Sequence, residues 1–292
     1  MGTAKRRVRL GTVEKTLLWT VYMRVLDFRN TPPLVGDVWA VDVLDHLEFD
    51  RRILWGVGGD RNLVLLRARR IDAWARRWIS AHPGGTVLHL ACGPDSRALR
   101  LGSPPEGRWF DLDLPNVAAL RRDLLPEPAG YRLLSASVTD AAWLDEIPSD
   151  APVLVIAEGL VEYLSPTRTR LLLDRLVGHF PHGGEIVFDS VPGWVGATAR
   201  AYGVPMFGME DPRTPERWNP HLRLVRAHPL LADHADVPEW GYRTLYRALN
   251  ACEATRAAMR LNHYRFEGSA GSAPDPADRS VRRGAARRAS RR

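Results

Sequence analysis

The stretch Val87-Leu88-His89-Leu90-Ala91-Cys92-Gly93-Pro94-Asp95-Ser96-Arg97 joins a β-forming run, a turn of small side chains and a polar opening to a helix. Twenty positions after Gly93, Arg108-Trp109-Phe110-Asp111-Leu112-Asp113 ends a second short strand on an acid. Small residues let the backbone approach a ligand, and a carboxylate at the tip of the next strand accepts hydrogen bonds from ribose hydroxyls. The spacing points to a nucleoside site. A dinucleotide site calls for G-x-G-x-x-G, with the pyrophosphate resting on a helix N-terminus. Here the three glycine positions read Ala91, Gly93 and Ser96. Arg97 follows at once, and a guanidinium in that place can pair bidentately with an amino-acid carboxylate. S-adenosylmethionine carries such a group and a nicotinamide dinucleotide does not, so the turn favours the methyl donor. A nicotinamide-dependent Rossmann oxidoreductase is the rival reading.

The elements that hold these residues read as α/β. After Pro83-Gly84-Gly85, short β runs alternate with helices. Strands are expected at 87–90, 109–112, 131–135, 153–157 and 185–189, with helices near 96–101, 116–124, 141–146 and 167–180. That alternation implies a parallel, doubly wound sheet, whose ligands bind at the carboxyl ends of its strands. Asp113, Ser137, Glu158 and Asp189 fall at those ends. Upstream, apolar residues at three- and four-residue spacing predict helices from Gly11 to about His82, broken at Thr31-Pro32-Pro33. Gly56-Val57-Gly58-Gly59 lacks the preceding strand and following Gly-Lys-Ser of a phosphate loop, so it reads as a turn, with Asp60 capping the next helix. Trp74 and Trp78, one helical turn apart, read as a packing stripe. The Pro-rich, aromatic stretch 192–238 is expected to be an inserted substrate lid. A helix near 242–251 and a strand near 259–266 should close the sheet.

The expected organisation is an N-terminal helical cap over 1–82, a binding domain over 83–267 and a disordered basic tail over 268–292. Net charge is +7, but residues 1–9 carry four uncompensated basic groups and residues 272–292 a surplus of five arginines. The body between is therefore slightly acidic. The Arg/Ala/Ser/Pro tail has too little apolar content to repay its ordering entropy, and no specific nucleic-acid partner is expected for it. No apolar run reaches the roughly 20 residues of a membrane span. Cys92 and Cys252, the only cysteines, suggest a reducing compartment and a cytoplasmic enzyme. Cys92 reads as a small buried residue rather than a nucleophile.

Three ordered motifs together resemble the leucine carboxyl methyltransferase superfamily, and within it the tetracenomycin-type O-methyltransferases of polyketide biosynthesis. They are Cys92-Gly93-Pro94-Asp95-Ser96-Arg97, Phe110-Asp111-Leu112-Asp113-Leu114-Pro115 and Ala157-Glu158-Gly159-Leu160-Val161-Glu162-Tyr163-Leu164. The opening Glu14-Lys15-Thr16-Leu17-Leu18, with Arg24 and Asp37, and the ending Leu261-Asn262-His263-Tyr264-Arg265-Phe266 are similar as well. The resemblance, over about residues 11–267, implies a class I methyltransferase fold with a Rossmann-like doubly wound sheet, and S-adenosyl-L-methionine as cofactor. It implies that Arg97 holds the donor carboxylate beside Gly93, and that Asp113 takes the ribose. Ser137 and Val138 would lie by the adenine, and Glu158 would face the donor. A basic residue of the N-terminal helices, Lys15 or Arg24, would also reach the carboxylate. Two positions depart from the family pattern: Ala91 replaces a glycine and Ser137 an acid.

The implied reaction is O-methylation of a carboxyl or hydroxyl group on a small aromatic or polyketide-like acceptor. A carboxylate needs no general base, whereas a phenol near pKa 10 benefits from one. No histidine is placed as an obvious base, so no catalytic residue is assigned, and no metal is expected. Tyr163, His263 and Tyr264 are candidates for acceptor contact. A family member that binds the donor without turnover is a further alternative, and a homo-oligomer stays open.

Overall fold

A computed structural model describes residues 6–7, 12–48 and 60–268 of the chain. Seven strands form one sheet: β1 (Thr86–Leu90), β2 (Arg108–Asp113), β3 (Tyr131–Ser135), β4 (Val153–Ala157), β5 (Gly184–Ser190), β6 (Leu222–Pro229) and β7 (Arg260–Phe266). Their order is β3-β2-β1-β4-β5-β7-β6. The first five run parallel, while β7 lies antiparallel between β5 and β6. A dinucleotide fold orders its strands 3-2-1-4-5-6, so the reversed β7 is the topological departure. Strand order turns at β1 and β4, and the loops after those two strands open the crevice where such sheets bind ligands.

Residue type explains the layering. β1 (Thr-Val-Leu-His-Leu) and β4 (Val-Leu-Val-Ile-Ala) are buried at every position, as central strands covered on both faces must be. On one face lies α3 (Arg61–Ala81), whose Ile71, Trp74, Ala75 and Trp78 pack on Val87, Trp109, Leu154 and Val187. Asp60 caps α3, its side chain accepting the Asn62 and Leu63 amides at 2.9 and 3.3 Å. The opposite face takes Leu172, Leu173 and Leu176 of α6 (Pro166–His179), together with Trp143. Between the strands lie α4 (Arg97–Leu101) and α5 (Pro115–Leu124); the segment expected as a helix near 141–146 is a 3-10 turn over Ala142–Glu146.

The N-terminal helices α1 (Thr12–Phe28) and α2 (Val38–Asp45) build a second cluster, in which Leu18, Trp19, Val21 and Val43 meet Val64 of α3 and Leu120 of α5. The Asp27 carboxylate accepts the Leu34, Val35 and Gly36 amides, which fixes the connection between α1 and α2. α1 is thereby held against the turn that follows β1.

The segment expected to be lid over 192–238 is only partly so. α7 (Gly193–Ala201) and α8 (Thr214–Trp218) flank the strand ends, but Leu222–Pro229 is the edge strand β6. Its alternation is blurred by a register shift between Leu224 and Arg226, the signature of a bulge. A chain of 3-10 turns (Leu230–Asp236), α9 (Trp240–Ala251) and α10 (Glu253–Arg256) lead into β7. The Gly56–Gly59 turn and the tail beyond Gly268 lie outside the described residues.

Candidate donor-binding site

β1 ends in the turn Ala91-Cys92-Gly93, where Ala91 (φ 50°) and Gly93 (φ 55°) both take left-handed backbone. The Gly93 amide donates to Asp113 at 2.6 Å, and the Leu114 amide holds the other oxygen of that carboxylate at 2.7 Å. Arg121 of α5 clamps the turn from behind by donating to the Gly93 and Asp95 carbonyls, and pairs with buried Asp111 at 2.6 Å. Asp111 also accepts from Trp109 Nε1 at 2.6 Å and from the Tyr131 hydroxyl at 3.0 Å. Backbone groups are thus pre-aimed around Gly93. A side chain there would meet Leu17 of α1 at 2.9 Å in addition to its backbone strain. Cys92 is buried against Ala118 and Leu133, and its burial pushes the thiol up, consistent with a packing role.

The turn forms one wall of a cavity of about 230 Å³. Arg24, Arg67, Asp95, Glu158, Glu162 and Tyr163 are among its polar and aromatic lining. Arg24 of α1 pairs with Asp95 at 2.5 Å and with Asp37 at 3.3 Å, and its buried Nε has no partner. Arg67 of α3 reaches Glu158 at 3.0 Å and Asp189 at 2.6 Å, and stands 3.9 Å from Glu162. Asp189, at the end of β5, also accepts the amide of Gly159, whose left-handed φ of 63° turns that group toward it. The Ala157-Glu158-Gly159 motif is therefore a bend that delivers Glu158 to the cavity.

Arg97 lies elsewhere than expected. It is fully buried behind the wall, donating to Asp72 at 2.7 Å, Glu158 at 2.5 Å and His89 at 3.1 Å, with Asp95 at 3.3 Å. Its donors are spent on carboxylates, which it orients, and it does not line the cavity. Arg100 joins the network through Asp37, Asp72 and Asp95. Burial opposes ionisation of Glu158, but Arg97, Arg67 and Arg24 outweigh it and hold this carboxyl down to about 2. Asp95 is likewise held well below its ordinary range against its burial, by Arg24, Arg97 and Arg100.

The remaining expected residues divide. Gly93, Arg24, Glu158 and Tyr163 converge on the cavity, with Asp113 joined to Gly93. Ser137 and Val138 sit half-buried on the loop after β3; the Ser137 hydroxyl engages Thr139 at 2.8 Å, and Val138 packs on the core. The side chain of Lys15 lies outside the described residues. Two acceptor candidates do not reach the cavity. Tyr264 is fully buried, stacked on Phe188, with its hydroxyl donating to the Pro212 carbonyl at 2.6 Å. His263 pairs with Glu185 at 2.6 Å and packs on Trp74. Both stand mid-strand on β7, whose first residues, not its middle, pair with the carboxyl end of β5.

Arg67 and Asp72 were not anticipated from the sequence, although a signal was there. Arg67 recurs with Ile71, Trp74 and Trp78 at helical spacing, and Asp72 with Ala68, Ala75 and Ile79. A charge inside an apolar stripe must find a partner in the interior.

The arrangement suits a ligand that carries both signs. Arginines offer a carboxylate its partners, while Glu158 offers its remaining lone pairs to an ammonium or sulfonium. A pyrophosphate would face Asp95 and Glu158 at the start of α4, where an anion-binding helix terminus would need to be free of them. The lining contains one histidine, His89, and that ring is occupied by Arg97 and lies 3.6 Å from Asp111. Among the described residues no group of three or more His, Cys, Asp and Glu is arranged to hold a metal ion, and no helix is long and apolar enough to cross a membrane.

Comparison with known proteins places the chain among methyltransferases. Residues 40–177 match the family model described as leucine carboxyl methyltransferase. The tetracenomycin polyketide synthesis O-methyltransferase TcmP of Streptomyces glaucescens is 37% identical over 274 residues, 89% of this chain and 98% of the relative. An S-adenosyl-L-methionine-dependent methyltransferase of Gibberella zeae, dpfgK, is 35% identical over 82% of this chain and 89% of its own length. Among solved structures, a candidate methyltransferase from Thermobifida fusca superposes with a TM-score of 0.57 at 13% identity, over 86% of this chain and 94% of that one. A duf574 family protein from Streptomyces avermitilis gives 0.51 at 16% identity, covering 86% and 97%. These two likenesses concern the fold.

Proposed function

The chain belongs to the leucine carboxyl methyltransferase family of S-adenosylmethionine-dependent enzymes, and we propose that it methylates a carboxyl oxygen of a small aromatic or polyketide-like acid. The observation that carries this reading is the cavity at the ends of β1 and β4, where a left-handed backbone turn meets Arg24, Arg67, Asp95 and Glu158. The buried, unpartnered Nε of Arg24 is a donor awaiting an anion, and such an atom is costly unless a ligand or water satisfies it. The donor's carboxylate is assigned to Arg24 and Arg67, its ammonium to Glu158, and its ribose to the free lone pairs of Asp113.

S-adenosylmethionine supplies, when bound, an electrophilic methyl group on a sulfonium. What this chain contributes is orientation and the exclusion of water. A carboxylate acceptor is already ionised at neutral pH and asks for no base. That matches a lining whose one histidine is engaged with Arg97. Arg97 and Arg100 hold the acids at the cavity and Asp72 holds both guanidiniums, so their part is positioning.

Calorimetric titration with S-adenosylhomocysteine tests the donor site. Wild type should bind it, while Asp113→Ala should lose at least about 1 kcal/mol, the scale of a hydrogen bond to a charged group. Equal affinity in both proteins counts against the assignment. NAD added in place of the thioether should give no heat of binding.

A further inference from the structure

A second cavity, of about 340 Å³, shares Glu162 with the first and is lined by α8 and the loop that precedes it. Its walls are apolar and aromatic: Val161, Leu164, Phe207, Met209 and Trp218. Glu162 lines both cavities. This side chain is 4% exposed, and its Oε2 has no hydrogen-bond partner. We propose that the second cavity is the acceptor site, that it takes a flat aromatic carboxylate, and that Glu162 Oε2 is the group that orients this carboxylate toward the donor cavity.

The inference rests on the methyltransferase reading and adds to it the acceptor's place and chemistry. A buried carboxyl oxygen with no partner costs free energy unless a ligand completes it. The other charges at the cavity are already engaged. Glu210 accepts the Gly193 amide at 2.5 Å, and Asp211 accepts from Arg217 at 2.5 Å. The floor and the cover are tied at this residue, because the Phe207 amide donates to the Glu162 carbonyl at 2.6 Å. Arg260 at the start of β7 holds the same loop by donating to the Met209 and Glu210 carbonyls at 2.5 and 2.8 Å. The aromatic and thioether walls match a flat ring system, as apolar pockets with few polar groups do.

The state of Glu162 fits an anionic guest. Burial and the adjacent Asp189 carboxylate push it well above the ordinary glutamate range. For this role Glu162 must carry its proton on Oε2, the oxygen without a partner; in that state it donates to one acceptor oxygen and leaves the second as nucleophile. That oxygen supplies the electron pair of the new O–C bond. The C–S bond breaks with its pair going to sulfur, so a neutral ester and a thioether result and no proton is transferred.

The test titrates the intact protein, saturated with S-adenosylhomocysteine, with 2-naphthoate and 2-naphthol. Wild type is expected to bind the naphthoate at least tenfold more tightly than the naphthol. Glu162→Gln, which keeps a neutral donor, should stay within about threefold of wild type for the naphthoate. Glu162→Leu should lose at least tenfold for the naphthoate, with S-adenosylhomocysteine held at saturation for each variant. Trp218→Ala, in the same lining, should lose at least fivefold, and decides the matter if the leucine variant does not fold. Failure of wild type to bind S-adenosylhomocysteine overturns the methyltransferase reading itself. Normal binding of that thioether with no naphthoate binding, with naphthoate affinity equal in wild type and Glu162→Leu, or with Glu162→Gln as impaired as the leucine variant, overturns the acceptor assignment alone.

Discussion

Ala91 shows how one side chain carries the tension between ligand approach and backbone strain. It holds a φ of 50°, a left-handed conformation that glycine adopts without strain. A left-handed L-residue costs roughly 1–2 kcal/mol, while glycine loses about 0.5–1 kcal/mol more chain entropy on folding. Ala91→Gly should therefore leave stability unchanged or raise it by up to about 1.5 kcal/mol, measurable by urea denaturation. A clear loss would mean that the Ala91 methyl packs better than the strain costs. Gly93→Ala should behave oppositely, because its φ is also left-handed and Leu17 leaves no room. Arg97 teaches a related lesson. A guanidinium can satisfy a ligand only with donors that the protein has not already used, and Asp72, Asp95 and Glu158 use those of Arg97.

Among the elements, α3 does most to set the site. It brings Arg67 to the cavity and Asp72 to the network behind it, while Ile71, Trp74 and Trp78 anchor it on the sheet. Its start depends on Asp60, so Asp60→Ala should destabilise the protein by about 0.5–2 kcal/mol. Affinity for S-adenosylhomocysteine should remain at the wild-type value, since Arg67 lies two turns into a long, packed helix. Calorimetry and denaturation on the same variant separate the two effects; a large loss of affinity at unchanged stability would contradict them. β6 was hidden for an equally local reason. Its residues are largely exposed or half-buried, its alternation breaks at Val225, and prolines crowd the approach to it, so Leu222–Pro229 looks like loop until β7 pairs with it.

At the scale of the whole molecule, a buried network of Arg24, Arg67, Arg97 and Arg100 with Asp37, Asp72, Asp95, Glu158 and Asp189 ties α1, α2, α3 and α4 to the sheet. Its pH dependence has a definite sign. Glu158 falls to about 2 in the folded state from an ordinary 4.5, so its contribution is complete above about pH 4.5 and is lost as pH falls toward 2. Asp95 acts in the same direction. Glu162 is raised, so its contribution is present in acid and is lost as pH rises. The thermal midpoint should thus drop steeply between pH 4.5 and 2.5, and Glu162→Gln should lessen the decline on the alkaline side. A midpoint constant from pH 5 to 2.5 would contradict this account. Much of the architecture was legible in the chain alone. Apolar runs in β1 and β4, the Asp60 cap, the Pro and Gly breaks and the acids at strand tips are local patterns, and local patterns determine which segments become strands and helices. The positions of Gly93, Asp113 and Glu158 follow from those segments, because strand ends in a parallel sheet converge. Which arginine is free to meet a ligand, and that His263 and Tyr264 stand away from the cavity, depend on distant carboxylates and on the reversed direction of β7. Those are pairings between residues far apart in sequence, and only the packed chain brings them within the few ångströms at which charge and hydrogen bonding act.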